Sequence, residues 1–345
     1  MTALIVDDSI LMRNIEKEVF RGSAIRVVGE GSDGRQALAL NRELRPDLIV
    51  MDINMPIMDG LAATTAIMAD RPTAIIIFSN EVAATNSFRA IQAGAVDVLP
   101  KPDIDEFNDR AYVERFIASL LSAATAFRDN RDRRGRTNSR EVLPNSGAGF
   151  ARPAGRRSVE VVVIGASTGG PPAVRDILHA LPADFPAGIA IVQHIEERFD
   201  KGYAAWLQGE CTLTVRLAKQ GDVLASGLVL VAPGGRHLVF SQRSLVLADD
   251  PPVANQKPSV DRLFESAAAS LGEGLAAVLL TGMGSDGAEG LGKVREAGGL
   301  TIAQDEASSL IFGMPKAAIE RGAALRVLGL RDIPAALLEA VGRHG

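Results

Sequence analysis

Hydrophobic residues in the first part of the chain form short runs, separated by longer segments with helical spacing. The runs predict strands at 3–6, 26–28, 48–51, 74–78 and 96–99. The intervening segments predict helices at 10–20, 35–44, 61–69 and 82–93, with a last helix at 112–127. Strands that alternate with helices in this way are typical of a doubly wound parallel α/β sheet. We therefore expect a five-stranded parallel sheet in residues 1–127.

A second alternating pattern begins near residue 158. Its apolar runs predict strands at 159–164, 188–193, 228–232, 237–240, 244–247, 275–281 and 301–304. Helices are predicted at 173–180, after Pro171-Pro172, and at 288–297. The two adjacent short strands around Gln242-Arg243 indicate a hairpin on an otherwise parallel sheet. This pattern predicts a second doubly wound α/β domain over residues 158–345.

The segment between the two patterns, 128–157, has a different composition. It contains nine arginines and three acidic residues, a local charge of +6, so the rest of the chain carries −11 of the total of −5. It also has glycine, serine and proline and no periodic apolar pattern, as flexible linkers do. A basic tract can bind an acidic surface or nucleic acid. Because only Phe150 interleaves the charges, a solvated interdomain linker is the favoured interpretation.

Composition narrows the class of protein further. The net charge of −5 gives no general attraction to nucleic acid, and the single cysteine, Cys211, excludes an internal disulfide. The first residues are neither basic nor strongly apolar, unlike a signal peptide. No apolar run approaches the ~20 residues of a membrane helix. We expect a soluble cytoplasmic protein that is not embedded in a membrane.

Charged and hydroxyl side chains end several strands of the first predicted sheet. Asp7-Asp8, Asp52, Ser79 and Lys101 all fall at carboxyl ends, where open α/β sheets bind ligands. Singly, each has an ordinary explanation, such as a helix N-cap or a solvated lysine. Together, the carboxylates predict a site for a hard cation such as Mg²⁺, in which Asp52 accepts a phosphoryl group and Lys101 neutralises charge.

These residues carry a family resemblance. Asp7-Asp8, the segment from Asp52 through Met55-Pro56-Ile57-Met58-Asp59-Gly60, Ser79 and Lys101-Pro102 resemble the motifs of a flavodoxin-like two-component receiver domain. The resemblance implies that a histidine kinase phosphorylates Asp52. It also implies Mg²⁺ bound by Asp8, Asp52 and the Asn54 backbone, with Asp7 assisting. Val98 stands where receivers commonly have an aromatic switch residue, so the aromatic half of that switch is absent.

Three residues at predicted strand ends of the second domain suggest nucleophilic catalysis. Ser167 follows a buried strand in a glycine-rich turn, and His194 and Asp286 end two other strands. Convergence of the three would give a nucleophile, a base and an orienting acid. The backbone N–H groups of Thr168 and Met283 are candidates for an oxyanion hole.

Each of these residues also has an alternative role. A serine here is often only a turn residue, a histidine at a strand end is often structural, and Asp286 has the position of a helix cap. His237 is a rival base, less favoured because it begins a strand. The turn lacks the second glycine of a dinucleotide loop and the lysine of a P-loop, which favours a hydrolase over a nucleotide-binding protein.

The second domain resembles the catalytic domain of the chemotaxis methylesterase CheB family. The matching segments are 164–170, 192–194, 232–237, 258–261, 280–287 and 303–308. The resemblance implies a Ser167–His194–Asp286 triad that needs no cofactor. It also implies phosphorylation-activated hydrolysis of glutamate γ-methyl esters on chemoreceptors, with deamidation of glutamines as a related reaction. Two alternatives stay open from sequence: a phosphorylation-dependent adaptor without catalysis, and an esterase acting on another modified protein.

Overall fold

The computed structural model describes residues 1–79, 84–101, 109–136 and 158–342. Within these ranges the chain forms two α/β domains, each built on a parallel sheet. Pro102, His344 and residues 137–157 of the expected linker lie outside the described residues. Among the helices of the described ranges, none has both the length and the apolar character needed to cross a bilayer.

The first domain contains a single five-stranded sheet. Its strands are β1 (Thr2–Val6), β2 (Arg26–Gly31), β3 (Leu48–Asp52), β4 (Ala74–Ser79) and β5 (Asp97–Pro100). Its helices are α1 (Ile10–Phe20), α2 (Gly34–Leu44), α3 (Gly60–Asp70), α4 (Ala84–Gln92) and α5 (Arg110–Arg136). The strand order is β2-β1-β3-β4-β5, and every pairing is parallel. The predicted receiver-type sheet is therefore confirmed.

Local sequence explains where these elements begin and how they are buried. All five residues of β3 are buried, as expected for a central strand covered by helices on both faces. The Ser9 hydroxyl accepts the Met12 N–H at the start of α1. The Asp33 carboxylate accepts the N–H groups of Arg35 and Gln36 at the start of α2. The starts of these two helices are thus fixed by the residue that comes directly before each helix.

Helix α5 extends beyond its predicted end at residue 127 and continues to Arg136. The first nine residues of the expected linker are consequently helical rather than irregular. Residues 128–134 contain neither glycine nor proline and four of them are arginine, a residue with high helix propensity. Composition alone did not predict this helical extension, because a charged segment without apolar periodicity resembles a linker.

The second domain is a doubly wound sheet with an added hairpin. Its strands are β6 (Val161–Ala166), β7 (Gly188–Gln193), β8 (Thr214–Leu217), β9 (Leu228–Val231), β10 (His237–Ser241), β11 (Ser244–Ala248), β12 (Leu275–Leu279), β13 (Leu300–Gln304) and β14 (Arg326–Leu328). Its α-helices are α6 (Gly170–His179), α7 (Glu197–Glu210), α8 (Val260–Leu271), α9 (Ala288–Glu296), α10 (Met314–Glu320) and α11 (Ile333–Ala340). Seven strands form one parallel sheet in the order β14-β13-β12-β6-β7-β9-β8.

Two details of this domain differ from prediction. The hairpin β10–β11 is antiparallel as expected, but it forms its own sheet instead of joining the large one. It packs on α8, where the Phe240 N–H donates to Ser266 Oγ at 3.0 Å. The sequence did not predict the edge strands β8 and β14, because they are short and only one of their residues is buried, so they lack a hydrophobic run.

The two domains meet through α4 of the first and α7 of the second. Phe88 of α4 is 2% exposed, and its ring centroid lies 5.3 Å from that of Tyr203 and 5.6 Å from that of Trp206. Val98 belongs to the same hydrophobic cluster. The Tyr203 hydroxyl and the Trp206 indole N–H are buried and have no hydrogen-bond partner among the described residues. Among the described residues, this contact is therefore apolar in character, and two polar atoms in it have no hydrogen-bond partner.

Candidate active site and phosphorylation site

Lys101 connects two buried carboxylates at the carboxyl edge of the first sheet. Its Nζ lies 2.6 Å from Asp7 Oδ2 and 3.0 Å from Asp52 Oδ2. Ser79 ends the neighbouring strand β4, is fully buried, and its carbonyl accepts the Lys101 N–H at 2.9 Å. The residues predicted from separate strand ends thus lie in one pocket.

The pocket stabilises opposite charges in close contact. Burial raises the pKa of Asp52, although the Lys101 ammonium opposes that shift. Burial lowers the pKa of Lys101, but the charges of Asp52 and Asp7 outweigh it and the net shift is upward. Lys101 therefore remains protonated at neutral pH and supplies a fixed positive charge beside the predicted phosphoryl acceptor.

The donor set of this pocket fits a magnesium ion. Carboxylate oxygens of Asp7, Asp8 and Asp52 all lie within 4.8 Å of one another. Asp8 is exposed while the other two are buried, so the group opens to solvent on one side. Asn54 follows Asp52 by two residues and is exposed. Clustered carboxylate oxygens with an open face suit a hard cation that keeps some of its waters.

Sequence reasoning missed a fourth carboxyl group behind this pocket. Glu16 of α1 is 2% exposed, and its Oε2 has no hydrogen-bond partner among the described residues. Burial raises the pKa of Glu16 well above its usual range, and the charge of Asp7 raises it further. A glutamate in an amphipathic helix normally predicts a solvated face, so its burial had no local signal.

In the second domain, strand pairing places the predicted serine and histidine side by side. Ala166 and Gln193 are paired residues of β6 and β7, and the His194 N–H donates to the Ala166 carbonyl at 3.0 Å. Ser167 and His194 are therefore the next residues on two adjacent strands. His194 Nε2 lies 2.7 Å from Asp286 Oδ2. His194 Nδ1 is buried with no partner among the described residues, so it is the nitrogen available to a serine hydroxyl.

Asp286 accepts four hydrogen bonds from described residues. Besides His194 Nε2, the donors are Ser259 Oγ at 2.8 Å, Val260 N at 2.7 Å and Asp261 N at 3.0 Å. The two backbone donors are free N–H groups at the start of α8. Burial raises the pKa of Asp286, but the bond and charge of His194 outweigh it and the net shift is downward. This carboxylate is thus held ionised and fixed in place.

The support given by Ser259 and Asp261 has no counterpart in the roles predicted from sequence. The segment 258–261 resembles the methylesterase family in sequence, but the resemblance assigns its residues no role. Ser259 is the N-cap of α8, with its hydroxyl accepting the Arg262 N–H at 3.4 Å, which a capping pattern can predict. Its second bond, to Asp286, depends on how α8 packs against a distant loop. The alternative role of Asp286, as the cap of its own helix, does not apply, because Gly287 is the N-cap of α9.

The loops that carry the two oxyanion-hole candidates lie beside Ser167. Neither the Thr168 N–H nor the Met283 N–H donates to another described residue. The loop carrying Met283 approaches closely, since a Cβ on Gly282 would lie 2.6 Å from Ser167 Cβ. Glycine is therefore required at 282 for the two loops to converge.

His237 makes the hydrogen bonds of a structural histidine. It is fully buried, its Nδ1 accepts the Ser259 N–H at 3.2 Å, and its Nε2 bonds to the Pro251 carbonyl at 3.1 Å. Both ring nitrogens are thus occupied. The lower ranking of His237 as a rival base agrees with this geometry.

The first domain contacts the loops around Ser167. The Asp97 carboxylate of β5 accepts a hydrogen bond from the Thr168 side chain, and the Ser122 hydroxyl of α5 lies 3.3 Å from Met283 Sδ. Burial raises the pKa of Asp97 to about 7, although this hydrogen bond lowers it. The two loops that carry the oxyanion-hole candidates therefore both touch the first domain.

A second connection joins the pocket of Asp7, Asp52 and Lys101 to the other domain. The Arg198 guanidinium of α7 donates to the Lys101 carbonyl at 3.4 Å. Lys101 thus binds Asp52 through its side chain and α7 through its backbone. Helix α7 also carries Tyr203 and Trp206, whose rings pack against Phe88.

Fold and sites together define a receiver-type domain joined to an α/β domain with the side chains of a serine hydrolase. A family model described as CheB methylesterase matches residues 162–337, and one described as response regulator receiver domain matches residues 3–112. With the first of these models covering half of the chain, and with the relatives described next, the chain belongs to the CheB methylesterase family.

The curated relatives match this chain over nearly their whole length. A protein-glutamate methylesterase/protein-glutamine glutaminase of Anaeromyxobacter dehalogenans is 45% identical over 341 residues, covering 97% of this chain and 96% of that protein. One from Symbiobacterium thermophilum is 39% identical over 354 residues, covering 98% and 96%. The crystal structure of the Thermotoga maritima CheB methylesterase catalytic domain is similar with a TM-score of 0.51 and 41% identity, covering 53% of this chain and 99% of that chain.

Proposed function

We propose that this protein hydrolyses glutamate γ-methyl esters on chemoreceptors and that phosphorylation of Asp52 activates it. The carrying observation is the 2.7 Å bond between His194 Nε2 and Asp286, with Ser167 on the adjacent strand end. The names of the relatives support the substrate class and add glutamine deamidation as a second reaction of the same site.

The three side chains have distinct roles in this proposal. His194 Nδ1 takes the proton as Ser167 Oγ attacks the ester carbonyl, because Nε2 is committed to Asp286. The Thr168 and Met283 N–H groups stabilise the oxyanion. His194 then returns the proton to the leaving methoxide, methanol departs, and a water activated by the same nitrogen releases the acyl group.

The same loops supply the control. In the unphosphorylated arrangement Asp97 and Ser122 contact the Thr168 and Met283 loops, so the first domain restricts access to Ser167. Charge added at Asp52 disturbs the Lys101 ion pairs, and the Lys101 backbone contact with Arg198 transmits the change to α7. Phosphorylation thereby shifts the population toward an open arrangement.

The phosphodonor in this proposal is a histidine kinase, and the acceptor site uses Mg²⁺. Asp8 and Asp52, with the Asn54 backbone, would hold the ion, and Asp7 would assist. The ion supplies charge neutralisation at the phosphoryl group. Ester hydrolysis in the second domain uses the three side chains and the two backbone N–H groups, without a cofactor.

Methanol release from methylated receptor membranes tests the proposal. The rate is measured with and without a small-molecule phosphodonor and Mg²⁺, using Ser167→Ala as the blank and Asp52→Asn as the control for the gate. We expect release that rises with the phosphodonor, vanishes in the blank and loses its activation in Asp52→Asn.

Each part of the proposal has its own contrary result. Activation that survives in Asp52→Asn would contradict the phosphorylation control while leaving the esterase intact. No methanol release in either condition, with Ser167 still reactive toward a covalent serine probe, would point to another ester substrate. No reaction with the probe would favour an adaptor.

A further inference from the structure

Asp261 places a second carboxyl group beside the proposed triad acid. It lies in the first turn of α8, and its backbone N–H donates to Asp286 Oδ1 at 3.0 Å. Its side chain is within hydrogen-bonding reach of the Asp286 carboxylate. On the other side, its Oδ1 accepts the Gly290 N–H of α9 at 2.7 Å. Asp261 thus links α8, α9 and Asp286.

Two carboxyl groups in hydrogen-bonding contact share a proton, because two adjacent buried negative charges repel strongly. The surrounding donors decide which group carries it. Within the part of the chain that the structure describes, Asp286 accepts four hydrogen bonds, one of them from His194, whereas the Asp261 side chain accepts one N–H, that of Gly290. Asp286 is therefore the better-stabilised carboxylate, and the proton resides on Asp261.

The charged groups around Asp261 act in the same direction. Burial raises the pKa of Asp261 to about 7, and Asp286 and Glu265, one turn along α8, add to the shift. The Gly290 N–H lowers it. The pKa of Glu265 is itself raised by Glu289 of α9 and lowered by Arg262 of α8 and Lys293 of α9. Asp261 is thus a carboxyl group that titrates near neutral pH.

We propose that Asp261 is a positioning residue of the active site: as a carboxylic acid it donates a hydrogen bond to Asp286 and holds that carboxylate toward His194. The inference rests on the proposed function, since it concerns the same triad. When Asp261 loses its proton, the donor is lost and the two carboxylates repel, so Asp286 is less well fixed against the imidazole.

The test is the rate at which a fluorophosphonate probe labels Ser167 in the full-length protein, measured across pH. Wild type is compared with Asp261→Asn, which keeps the acceptor for Gly290 and a permanent donor for Asp286, and with Asp261→Ala, which removes both. Glu265→Gln is the matched control, because it neutralises a carboxyl group on the same helix that makes no hydrogen bond to Asp286. Rates are expressed relative to wild type at each pH, so that any pH effect on the first domain cancels.

We expect Asp261→Asn to match wild type at about pH 6 and to exceed it by about fivefold at about pH 8.5, where wild type has lost the donor. Asp261→Ala should be labelled about tenfold more slowly than wild type at about pH 6. Glu265→Gln should keep the wild-type rate at about pH 6 and the shape of the wild-type pH profile, moved to slightly lower pH because it removes one charge that raises the pKa of Asp261. A structural role alone would give Asp261→Asn a constant ratio across pH, and that result would overturn the inference.

Folding and function are separated within the same experiment. If Asp261→Ala does not fold, as judged by its thermal transition, the pH-dependent ratio of Asp261→Asn decides alone. If wild-type Ser167 is not labelled at any pH, the proposed serine chemistry fails and this inference fails with it. If wild type is labelled and the Asp261→Asn ratio is flat, only the role of Asp261 is refuted.

Discussion

Truncation of Phe88 tests whether the contact between α4 and α7 keeps the enzyme inactive. Phe88 is 2% exposed and is enclosed by Tyr203 and Trp206 of the other domain. Replacing a buried phenylalanine by alanine costs about 3–5 kcal/mol in total, and each aromatic pair contributes roughly 0.5–1.5 kcal/mol of that. Because two aromatic pairs cross the interface, we assign about 2 kcal/mol to the interface itself.

A loss of about 2 kcal/mol shifts the equilibrium between closed and open arrangements about 30-fold toward the open one. Basal methanol release by unphosphorylated Phe88→Ala should therefore rise by up to that factor, limited by the rate of the open arrangement. The phosphorylated rate should stay close to that of wild type. Stimulation by the phosphodonor, the ratio of the two, should shrink accordingly.

The control is Phe20→Ala, which removes the same side chain at the same 2% exposure from the core of the first domain. It should lower the thermal stability of that domain without raising basal release. Equal activation by Phe20→Ala and Phe88→Ala would mean that unfolding of the first domain opens the site. Unchanged basal release in Phe88→Ala would refute the assignment of the α4–α7 contact as the inhibitory one.

Three further outcomes follow from the described contacts. Ser259→Ala removes one hydrogen bond to the Asp286 carboxylate and should lower kcat about tenfold with little change in KM, measured on the same esters. In the closed interface the pKa of Asp97 is raised to about 7, so Asp97 binds its proton more tightly there than after the domains separate. The contact should therefore weaken as the pH rises toward and through 7. Over that range the basal rate of wild type should rise relative to that of Asp97→Asn. An equal pH dependence in both proteins would contradict this. Removal of divalent metal by a chelator should abolish stimulation by the phosphodonor and leave basal hydrolysis unchanged, whereas loss of basal release would place a metal in the ester chemistry.

The strand ends were predictable because a hydrophobic run shows where a buried strand lies. The parallel arrangement then determines which edge of the sheet the end of the strand reaches. The hydrophobic runs of β3 and β6 by themselves predict that Asp52 and Ser167 lie at carboxyl edges. Once the strands were assigned, the convergence of the polar residues that follow them was a matter of sheet geometry.

Residues that act through packing between distant elements were not predictable in this way. Nothing near Glu16 in sequence indicates burial, since a charged residue on an amphipathic helix normally faces water. Asp261 has the position of an ordinary first-turn acid, and its contact with Asp286 arises from how α8 meets a loop 25 residues later. The sequence shows directly that Val98 replaces an aromatic residue. The position of the Phe88 ring at the interface cannot be predicted from the sequence, because it depends on how the two domains dock.

The Tyr203 hydroxyl and the Trp206 indole N–H, which have no hydrogen-bond partner in the described part of the chain, make the domain contact observable by fluorescence. Separation of the domains would return both donors to water, and each regained hydrogen bond offsets about 1–3 kcal/mol of the apolar contact that is lost. Trp206 is the only tryptophan in the chain and is 4% exposed. Its emission should therefore move to longer wavelength when the domains separate, so the opening reaction can be followed in the unlabelled protein as phosphodonor is added.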